Sequence, residues 1–522
     1  MCDDCLNTYH EDVVRNSILK HSLVKSSLVV AGFTSISRGL GFVRDALLAY
    51  FLGAGFVLDA FVLALNLPNL IKRMYAEGGI SQVIVPRTYQ AKSSEEAALL
   101  SLIVGSLSFI LLIVTGLLIT CSLYIMGMLA PGLLAMSKQL SLSSQLFRLL
   151  APYIAFVLLA GVYSAFLHKK HIVGWPAAIS VLLNFILILV LLLAGQSHHV
   201  VYYLCISVSL AGGLQMLVLA WLIYGCIEWE KPKIALNHPL VKQILFGLLP
   251  TALIISVIYI GFFIDIIFAS NLHTGNVSWL YYSERLTVLP ISLIGGAIAI
   301  ALLPKMTALN IEMNKIQLQK AISAVLILGL PAALGLYFFS RMIVIALFFH
   351  GVFTQYDVTM VSHCIAAFAL GIPAFLVTKI LIIHYFVQKK INTPFICACI
   401  AISVNILCNY IFSKSLGHVG FALATSLSGW LNLLLLYVHF AVKETRLKKK
   451  SSGWLLSLLI VNTLFAIFLF VLNKYLMFYM MQWTSIQRLM CIIISVLFAI
   501  IVYGILIKVT KLSKRINESR IS

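Results

Sequence analysis

The chain has 522 residues, of which 61% are hydrophobic and 10% are charged. Soluble proteins of this length do not carry so much apolar sequence, so the composition excludes a soluble enzyme and indicates a polytopic membrane protein. A net charge of +20 could indicate a protein that binds nucleic acid. The positions of the basic residues instead indicate that membrane topology explains the charge.

Hydropathy predicts about fourteen transmembrane helices joined by short loops, which makes the predicted fold class an all-α polytopic membrane protein. No segment is long and polar enough to form a separate soluble domain. The predicted helix centres are Ile36, Leu67, Ile110, Val157, Ile186, Val208, Ile255, Leu293, Leu330, Val377, Val404, Leu431, Ile467 and Leu497.

The basic residues are concentrated in alternate loops. If the N-terminus is cytoplasmic, most of the 37 Lys and Arg residues fall in predicted inner segments. The predicted outer segments hold only Lys138, Arg148, Lys414, Lys474 and Arg488. This bias predicts an even number of spans with both termini in the cytoplasm, and it explains the net charge without nucleic acid.

The cysteines and histidines do not predict a metal site or a disulfide framework. Most of the ten cysteines lie in or beside apolar segments, where Cys is usually a small core residue. Cys2 and Cys5 form one CxxC pair, which alone is a weak zinc signal. The thirteen histidines show no metal-binding spacing. We therefore predict no cofactor and no metal.

The most informative stretch is 37–82, which is mostly apolar and predicts two helices joined by a turn at Leu52–Gly55. A charge at the bilayer centre costs from about 2.5 to more than 10 kcal/mol, so charged side chains here must face a water-filled cavity or one another. The stretch nevertheless holds Arg38, Arg44, Asp45, Asp59, Lys72, Arg73 and Glu77.

Helical spacing groups the polar residues of the second predicted helix. In a continuous α-helix from Phe56 to Ser81, Asp59, Asn66 and Glu77 share one face, and Arg73 lies about 40° away. Two roles stay open for Asp45, Glu77 and Glu284. Each acid could form a structural ion pair with a basic side chain, or it could take part in gating and ion coupling.

A second polar set lies in the later spans, where Ser278, Arg285 and Ser292 recur at seven-residue steps on one helix face. Guanidinium groups bind phosphate oxygens in bidentate fashion, so the intramembrane arginines predict an anionic, phosphate-bearing substrate. The other charged residues of these spans are Asp265, Glu284 and Lys379.

Residues 55–86 and 275–304 share a pattern, since each turns at glycine, carries a late glycine pair and ends at proline. The pattern predicts two parallel halves, spans 1–6 and spans 7–12, related about an axis along the membrane normal. The predicted domains are an N-terminal extension over 1–24, an N-lobe over 25–230, a C-lobe over 231–445, a helix pair over 446–510 and a cytoplasmic tail over 511–522.

Three motifs carry a family resemblance: SRGLGFVRDALLAYFLGAG at 37–55, LPNLIKRMYAEGGISQVIVP at 67–86 and VSWLYYSERL at 277–286. They resemble the MurJ/MviN family of lipid II flippases, in the multidrug/oligosaccharidyl-lipid/polysaccharide (MOP) exporter superfamily. The resemblance implies two six-helix lobes like those of the MATE exporters. It also implies an extra C-terminal helix pair that forms a hydrophobic groove, and a cationic central cavity.

The resemblance also implies roles for individual residues. The family usually has Arg at Lys72 and Asp at Glu284, so charge is kept, although Lys72 lacks the bidentate geometry of arginine. The implied substrate-binding residues are Arg38, Arg44, Asn69, Lys72, Arg73 and Arg285. The implied gating or ion-coupling residues are Asp45, Asp59, Glu77, Glu284 and Lys379.

The implied activity is transport without covalent chemistry. Lipid II, an undecaprenyl-pyrophosphate-linked disaccharide-pentapeptide of peptidoglycan biosynthesis, would cross from the cytoplasmic to the outer leaflet of the bacterial inner membrane by alternating access. Membrane lipids and cell-wall synthesis proteins are further candidate partners. The sequence does not choose between membrane potential and a monovalent cation as the energy source.

Alternative functions remain. The chain could move another polyprenyl-linked oligosaccharide, or it could be a cation-coupled drug exporter of the same superfamily, although such an exporter should favour acids in its cavity. A membrane glycosyl- or phosphotransferase would need grouped carboxylates at a membrane face, often holding metal. The loops contain no such grouping.

Overall fold

A computed structural model describes most of the chain. The described residues are 29–30, 32–76, 79–88, 93–170, 172–307, 311–388, 390, 392–443, 452–480 and 482–510. They form α-helices with two short interruptions of other helical type and contain no β-strand. The predicted terminal extension and tail, Cys2, Cys5 and Glu77 lie outside them.

Seventeen α-helices occur in this described part. Those of the first half are α1 (32–52), α2 (Phe56–Ile71), α3 (Gly79–Thr88), α4 (Ser93–Thr120), α5 (Ser122–Leu129), α6 (Ser137–Lys169), α7 (Gly174–Ala194) and α8 (Val200–Tyr224). Those of the second half are α9 (Pro239–Ala269), α10 (Asn276–Thr307), α11 (Ile311–Phe348), α12 (Gln355–Ala369), α13 (Ile372–Val387), α14 (Asn392–Leu416), α15 (His418–Lys443), α16 (Ser452–Met480) and α17 (Ser485–Val509).

The helices confirm the predicted fold class. Each of the predicted helix centres lies within one of them. Within the described ranges, nine helices are long and apolar enough to cross a membrane, or ten if the bent pair α12 and α13 counts as one span. The chain is therefore a multi-pass membrane protein, and the number fourteen stays a prediction.

The prediction of one continuous α-helix from Phe56 to Ser81 is wrong. After α2 the chain forms a π-helical turn at Lys72–Ala76, and α3 begins at Gly79. Pro68 lies inside α2 and removes a backbone donor there, and the π turn accommodates an extra residue. The 100° spacing used to align Glu77 with Asp59 therefore does not extend beyond Ile71.

The span centred on Val377 is broken and bent by 44° between α12 and α13. Pro373 lies at the start of α13, where its ring cannot continue the preceding helix. Gly371 lies at the break, and a Cβ there would come within 2.8 Å of the Ser426 hydroxyl. Glycine thus lets the bend pack closely against α15.

The chain divides into two compact units. The first unit comprises the described residues of Met1–Leu48, Leu67–Ile125 and Ser144–Ile255, and the second those of Ala49–Asn66, Met126–Ser143 and Ser256–Ser522. The predicted lobe bounds and the internal repeat stay predictions.

In the first unit, α3, α4, α6 and α8 share a buried apolar core that includes Ile84, Leu100, Phe166 and Leu219. The segment after α8 crosses α4, where the Lys233 N–H donates to Ser101 O at 3.2 Å. A Cβ on Gly105 would lie 2.5 Å from Lys233 O, so glycine is needed for this close approach.

In the second unit, helices α10, α11, α13 and α15 enclose a core that includes Leu302, Val325, Leu376 and Phe440. Helix α16 packs against α11 through Trp454 and Leu458. Helix α17 then packs on α16, and the rings of Phe465 and Tyr503 meet edge to face at 4.9 Å.

Candidate functional site

Arg44, on α1, is held from two sides within the first unit. Its Nε and Nη2 donate to Asp45 Oδ1 at 2.9 and 2.7 Å, and its Nη1 donates to Asn184 Oδ1 on α7 at 2.9 Å. The Asp45 carboxylate is buried. Asp45 therefore forms an ion pair with Arg44, and its two predicted roles both stay predictions.

The other predicted cations of this unit lie in α1 and in the π turn. Arg38 is half-buried on α1. Lys72 and Arg73 are consecutive, half-buried residues of the π-helical turn, and Asn69 is half-buried one turn earlier on α2. Half-burial leaves each of these polar groups partly accessible within an apolar segment.

In the second unit, the Asp59 carboxylate caps the first turn of α10. Its Oδ2 accepts from the Gly275 N–H at 2.5 Å, and its Oδ1 accepts from the Ser278 N–H and hydroxyl at 2.8 and 2.5 Å. The first N–H groups of a helix have no intrahelical partner and carry partial positive charge. An anionic side chain of α2 thus stabilises the start of α10.

Further contacts tie neighbouring segments to this cap. Trp279 Nε1 donates to Asp357 Oδ1 at 2.7 Å, and Asp357 completes a capping box with Thr354 at the start of α12. Tyr282 Oη donates to Gly53 O at 3.0 Å. The starts of α10 and α12 and the turn before α2 therefore form one hydrogen-bonded assembly in the second unit.

The second unit holds three further predicted site residues, which are Glu284 and Arg285 on α10 and Lys379 on α13. The Arg285 guanidinium lies 4.7 Å from the centre of the Tyr281 ring, a cation–π contact. Glu284 is buried and Lys379 is half-buried. A Cβ on Gly295 would come within 3.1 Å of Lys379 Cδ, so the lysine stem lies directly against α10.

A buried carboxyl forms a second polar centre in this unit. Asp265, on α9, accepts from Asn409 Nδ2 at 2.8 Å and from Thr425 Oγ1 at 2.5 Å. Asn405 Nδ2 donates to Thr425 Oγ1 at 3.0 Å. Asn409 Oδ1 is buried and accepts no hydrogen bond from the residues that the structure describes. The centre gathers oxygen atoms of the kind that bind hard cations.

The predicted site residues are thus divided between the units. The first unit holds Arg38, Arg44, Asp45, Asn69, Lys72 and Arg73, and the second holds Asp59, Glu284, Arg285 and Lys379. Glu77 lies outside the described residues.

Four polar residues around these charges were not predicted from the sequence: Asn184, Asn405, Asn409 and Thr425. The available signal was a single asparagine within a long apolar run, as at Asn184 in α7. Across the ranges that the structure describes, no three His, Cys, Asp or Glu residues cluster to hold a metal ion.

Solved structures define the class of this fold. An inward-facing multidrug resistance MATE family transporter of the MOP superfamily matches with a TM-score of 0.55 at 16% identity, covering 80% of this chain and 96% of that chain. A lipid II flippase MurJ in an inward closed conformation matches with a TM-score of 0.78 at 25% identity, covering 92% of this chain and 98% of that chain. The fold is that of the MOP-superfamily transporters.

The sequence then identifies the family. The model of the family described as lipid II flippase MurJ matches residues 48–460. The lipid II flippase MurJ of Burkholderia cenocepacia is 31% identical over 449 residues, covering 83% of this chain and 86% of that protein. The probable lipid II flippase MurJ of Vibrio cholerae is 32% identical over 431 residues, covering 80% and 82%. This chain belongs to the lipid II flippase MurJ family.

Proposed function

We infer that this protein is a lipid II flippase, which moves the undecaprenyl-pyrophosphate-linked peptidoglycan precursor from the cytoplasmic to the outer leaflet by alternating access. Membership of the MurJ family over most of the chain carries this inference. A flippase forms no covalent bond with its substrate, so we assign it a transport role and no catalytic residue. Within the family, we favour lipid II over another polyprenyl-linked oligosaccharide or a drug.

We propose that intramembrane arginines bind the pyrophosphate. Arg44 is oriented by two partners on α1 and α7, and Arg285 is braced by the ring of Tyr281. A guanidinium that is already ordered loses little freedom on binding phosphate oxygens. Additional substrate contacts are proposed at Arg38, Asn69, Lys72 and Arg73.

The gating roles are proposals as well. We propose that Asp59 acts in gating through the hydrogen bonds that join α2 to the start of α10. We assign the other gating or coupling roles to Asp45, Glu77, Glu284 and Lys379. We also propose a bacterial inner-membrane location with both termini in the cytoplasm, which the loop charge bias supports. Membrane lipids and cell-wall synthesis proteins remain candidate partners.

A monovalent cation is our proposed coupling ion, with the Asp265 centre as its binding site and the membrane potential as the alternative energy source. The residues fit such an ion, because a buried carboxyl, the hydroxyl of Thr425 and the buried Oδ1 of Asn409 all supply hard oxygen ligands. If the proposal is correct, flipping depends on the choice of sodium, potassium or choline, and Asp265→Asn removes that dependence. Equal rates of wild-type flipping in all three salts would instead favour membrane potential.

The decisive experiment is translocation of head-group-labelled lipid II in proteoliposomes. We expect transport by the wild type, loss of transport with Arg285→Ala, and normal transport with Arg341→Ala, which removes an exposed arginine of α11. Normal transport by Arg285→Ala would refute the site assignment. Failure of the wild type with lipid II, together with transport of another polyprenyl-linked glycan, would refute the substrate.

A further inference from the structure

Asn184 connects Arg44 to the backbone of α1. Its Oδ1 accepts from Arg44 Nη1 at 2.9 Å, while its Nδ2 donates to Ser37 O at 2.9 Å and lies 3.2 Å from Ser37 Oγ. Asn184 lies on α7 in the first unit and is 8% exposed. One buried amide therefore joins the arginine to a residue two turns earlier on α1.

The amide can adopt only one orientation in this position. Arg44 offers only donors and the Ser37 carbonyl offers only an acceptor, so a flipped amide would place donor against donor and acceptor against acceptor. The hydrogen bond from Asn184 Nδ2 to the Ser37 carbonyl fixes the orientation of the amide plane. In that orientation, Asn184 Oδ1 points toward the Arg44 guanidinium. The direction of Arg44 is thus set by the α1 backbone through Asn184.

Asp45 contributes the opposite restraint. It contacts Nε and Nη2 of Arg44, whereas Asn184 contacts Nη1. Two partners on different nitrogens of a planar group fix both its position and the orientation of its plane. A carboxylate partner also competes with an anionic ligand for the guanidinium, whereas a neutral amide orients it without adding negative charge.

We propose that Asn184 is a positioning residue for substrate binding, which orders the Arg44 guanidinium before the pyrophosphate arrives. The proposal rests on the lipid II flippase function given above and assigns this role to a residue outside the predicted site. An arginine side chain has many rotamers, and restricting them in advance removes that cost from substrate binding. The property under its control is therefore lipid II affinity, rather than the rate of conformational change.

The test compares half-saturating lipid II concentration and maximal flipping rate in proteoliposomes. Asn184→Leu should raise the half-saturating concentration by about tenfold or more, the effect of losing a hydrogen bond to a charged group, with little change in maximal rate. The matched control is Gln215→Leu, which removes a buried α8 amide bonded to Ile179 O of α7 without touching Arg44. This control should keep the wild-type half-saturating concentration.

A double-mutant cycle separates positioning from a general structural role. Arg44→Lys keeps a positive charge but loses the guanidinium, so adding Asn184→Leu to it should cause no further loss of affinity. Asn184→Asp should also weaken binding, because it adds a second carboxylate beside the arginine. Additive effects of Asn184→Leu and Arg44→Lys, or wild-type affinity of Asn184→Leu, would overturn the proposal. Failure of the wild type to move lipid II would instead refute the proposed function.

Discussion

Asp59 of α2 and Ser278 of α10 are joined by two hydrogen bonds, because one carboxylate oxygen accepts from both the backbone N–H and the hydroxyl of Ser278. The other carboxylate oxygen accepts from the Gly275 N–H. The acid is 2% exposed, so these contacts replace the water that would otherwise solvate its charge. Three donors at one helix end therefore determine where Asp59 is held.

Asp59→Asn should destabilise the start of α10. The amide keeps one acceptor but loses the charge, and its NH₂ group would face a backbone donor. We expect the free energy of unfolding to fall by about 1.5–3 kcal/mol, typical of hydrogen bonds to charged groups, in denaturant titrations of detergent-solubilised protein. Ser278→Ala removes only the hydroxyl bond to this carboxylate and leaves both backbone donors in place, so it should cost less, about 1.5 kcal/mol, the lower end of that range. Equal losses in the two variants would contradict the role of the charge.

Gly132→Ala should disrupt the short 3₁₀ turn at Pro131–Ala135. A Cβ on Gly132 would lie 1.9 Å from Ser270 O, which is backbone and cannot rotate away. Overpacking of this kind costs about 1–3 kcal/mol and should lower the midpoint of thermal unfolding. Gly335→Ala is the matched control, since no heavy atom lies within 4 Å of a Cβ there. A wild-type midpoint for Gly132→Ala would show that the turn can move away from Ser270, which directly follows α9.

The adjacent glycines Gly295 and Gly296 should respond differently to alanine. At Gly295 a Cβ would lie 3.1 Å from atoms of Leu376 and Lys379, whereas at Gly296 it would meet nothing within 4 Å. Gly295→Ala should therefore displace the lysine stem and weaken lipid II flipping several-fold, with little loss of folded protein. Gly296→Ala should leave flipping unchanged. Equal activities of the two variants would argue against a transport role for Lys379.

His350 should make the start of α17 sensitive to acid. Its Nδ1 lies 3.1 Å from Ser485 Oγ at the start of α17. Burial lowers the pKa of His350 and nearby Arg488 lowers it further, against the effect of a hydrogen bond to Ala346 O. The folded state therefore binds fewer protons than the unfolded chain, so stability is lost as pH falls below the ordinary histidine pKa of about 6.5.

Hydrogen exchange at the first turn of α17, followed from pH 7.5 to pH 5, measures this loss. Arg488→Gln should raise the pKa of His350 and reduce the acid sensitivity. His350→Gln should abolish it. Exchange that is independent of pH in the wild type would show that protonation of His350 does not weaken this contact.

Most of the helices could be predicted from the sequence alone, because a run of about 20 apolar residues in lipid has few alternatives to a helix. It also predicted the turn at Leu52–Gly55, where α1 ends at residue 52 and α2 begins at Phe56. The left-handed conformation of Gly53, with φ of +62°, explains why glycine occupies that turn. Helices and turns of this kind depend on short stretches of chain, so they can be predicted from the local pattern of apolar residues and glycines.

Most partners of the charged residues could not be predicted, because they are distant in sequence, unlike the adjacent pair of Arg44 and Asp45. Arg44 and Asn184 are 140 positions apart, and Asp59 and Ser278 are 219 apart. The π turn was missed for a different reason, since apolar spacing assumes a regular helix and gives no sign of an inserted residue. Sequence thus identified which residues needed partners, whereas the tertiary fold supplied them.

The Asp265 centre has a consequence for how the protein is made. Its partners Asn409 and Thr425 follow it by 144 and 160 residues. At ribosomal speeds of about 5–20 residues per second, roughly 7–30 s pass between synthesis of the carboxyl and of its first partner. During that interval α9 carries an acid into the bilayer before its final neighbours exist, so this helix depends on temporary protection by the translocon or by protonation until α14 and α15 arrive.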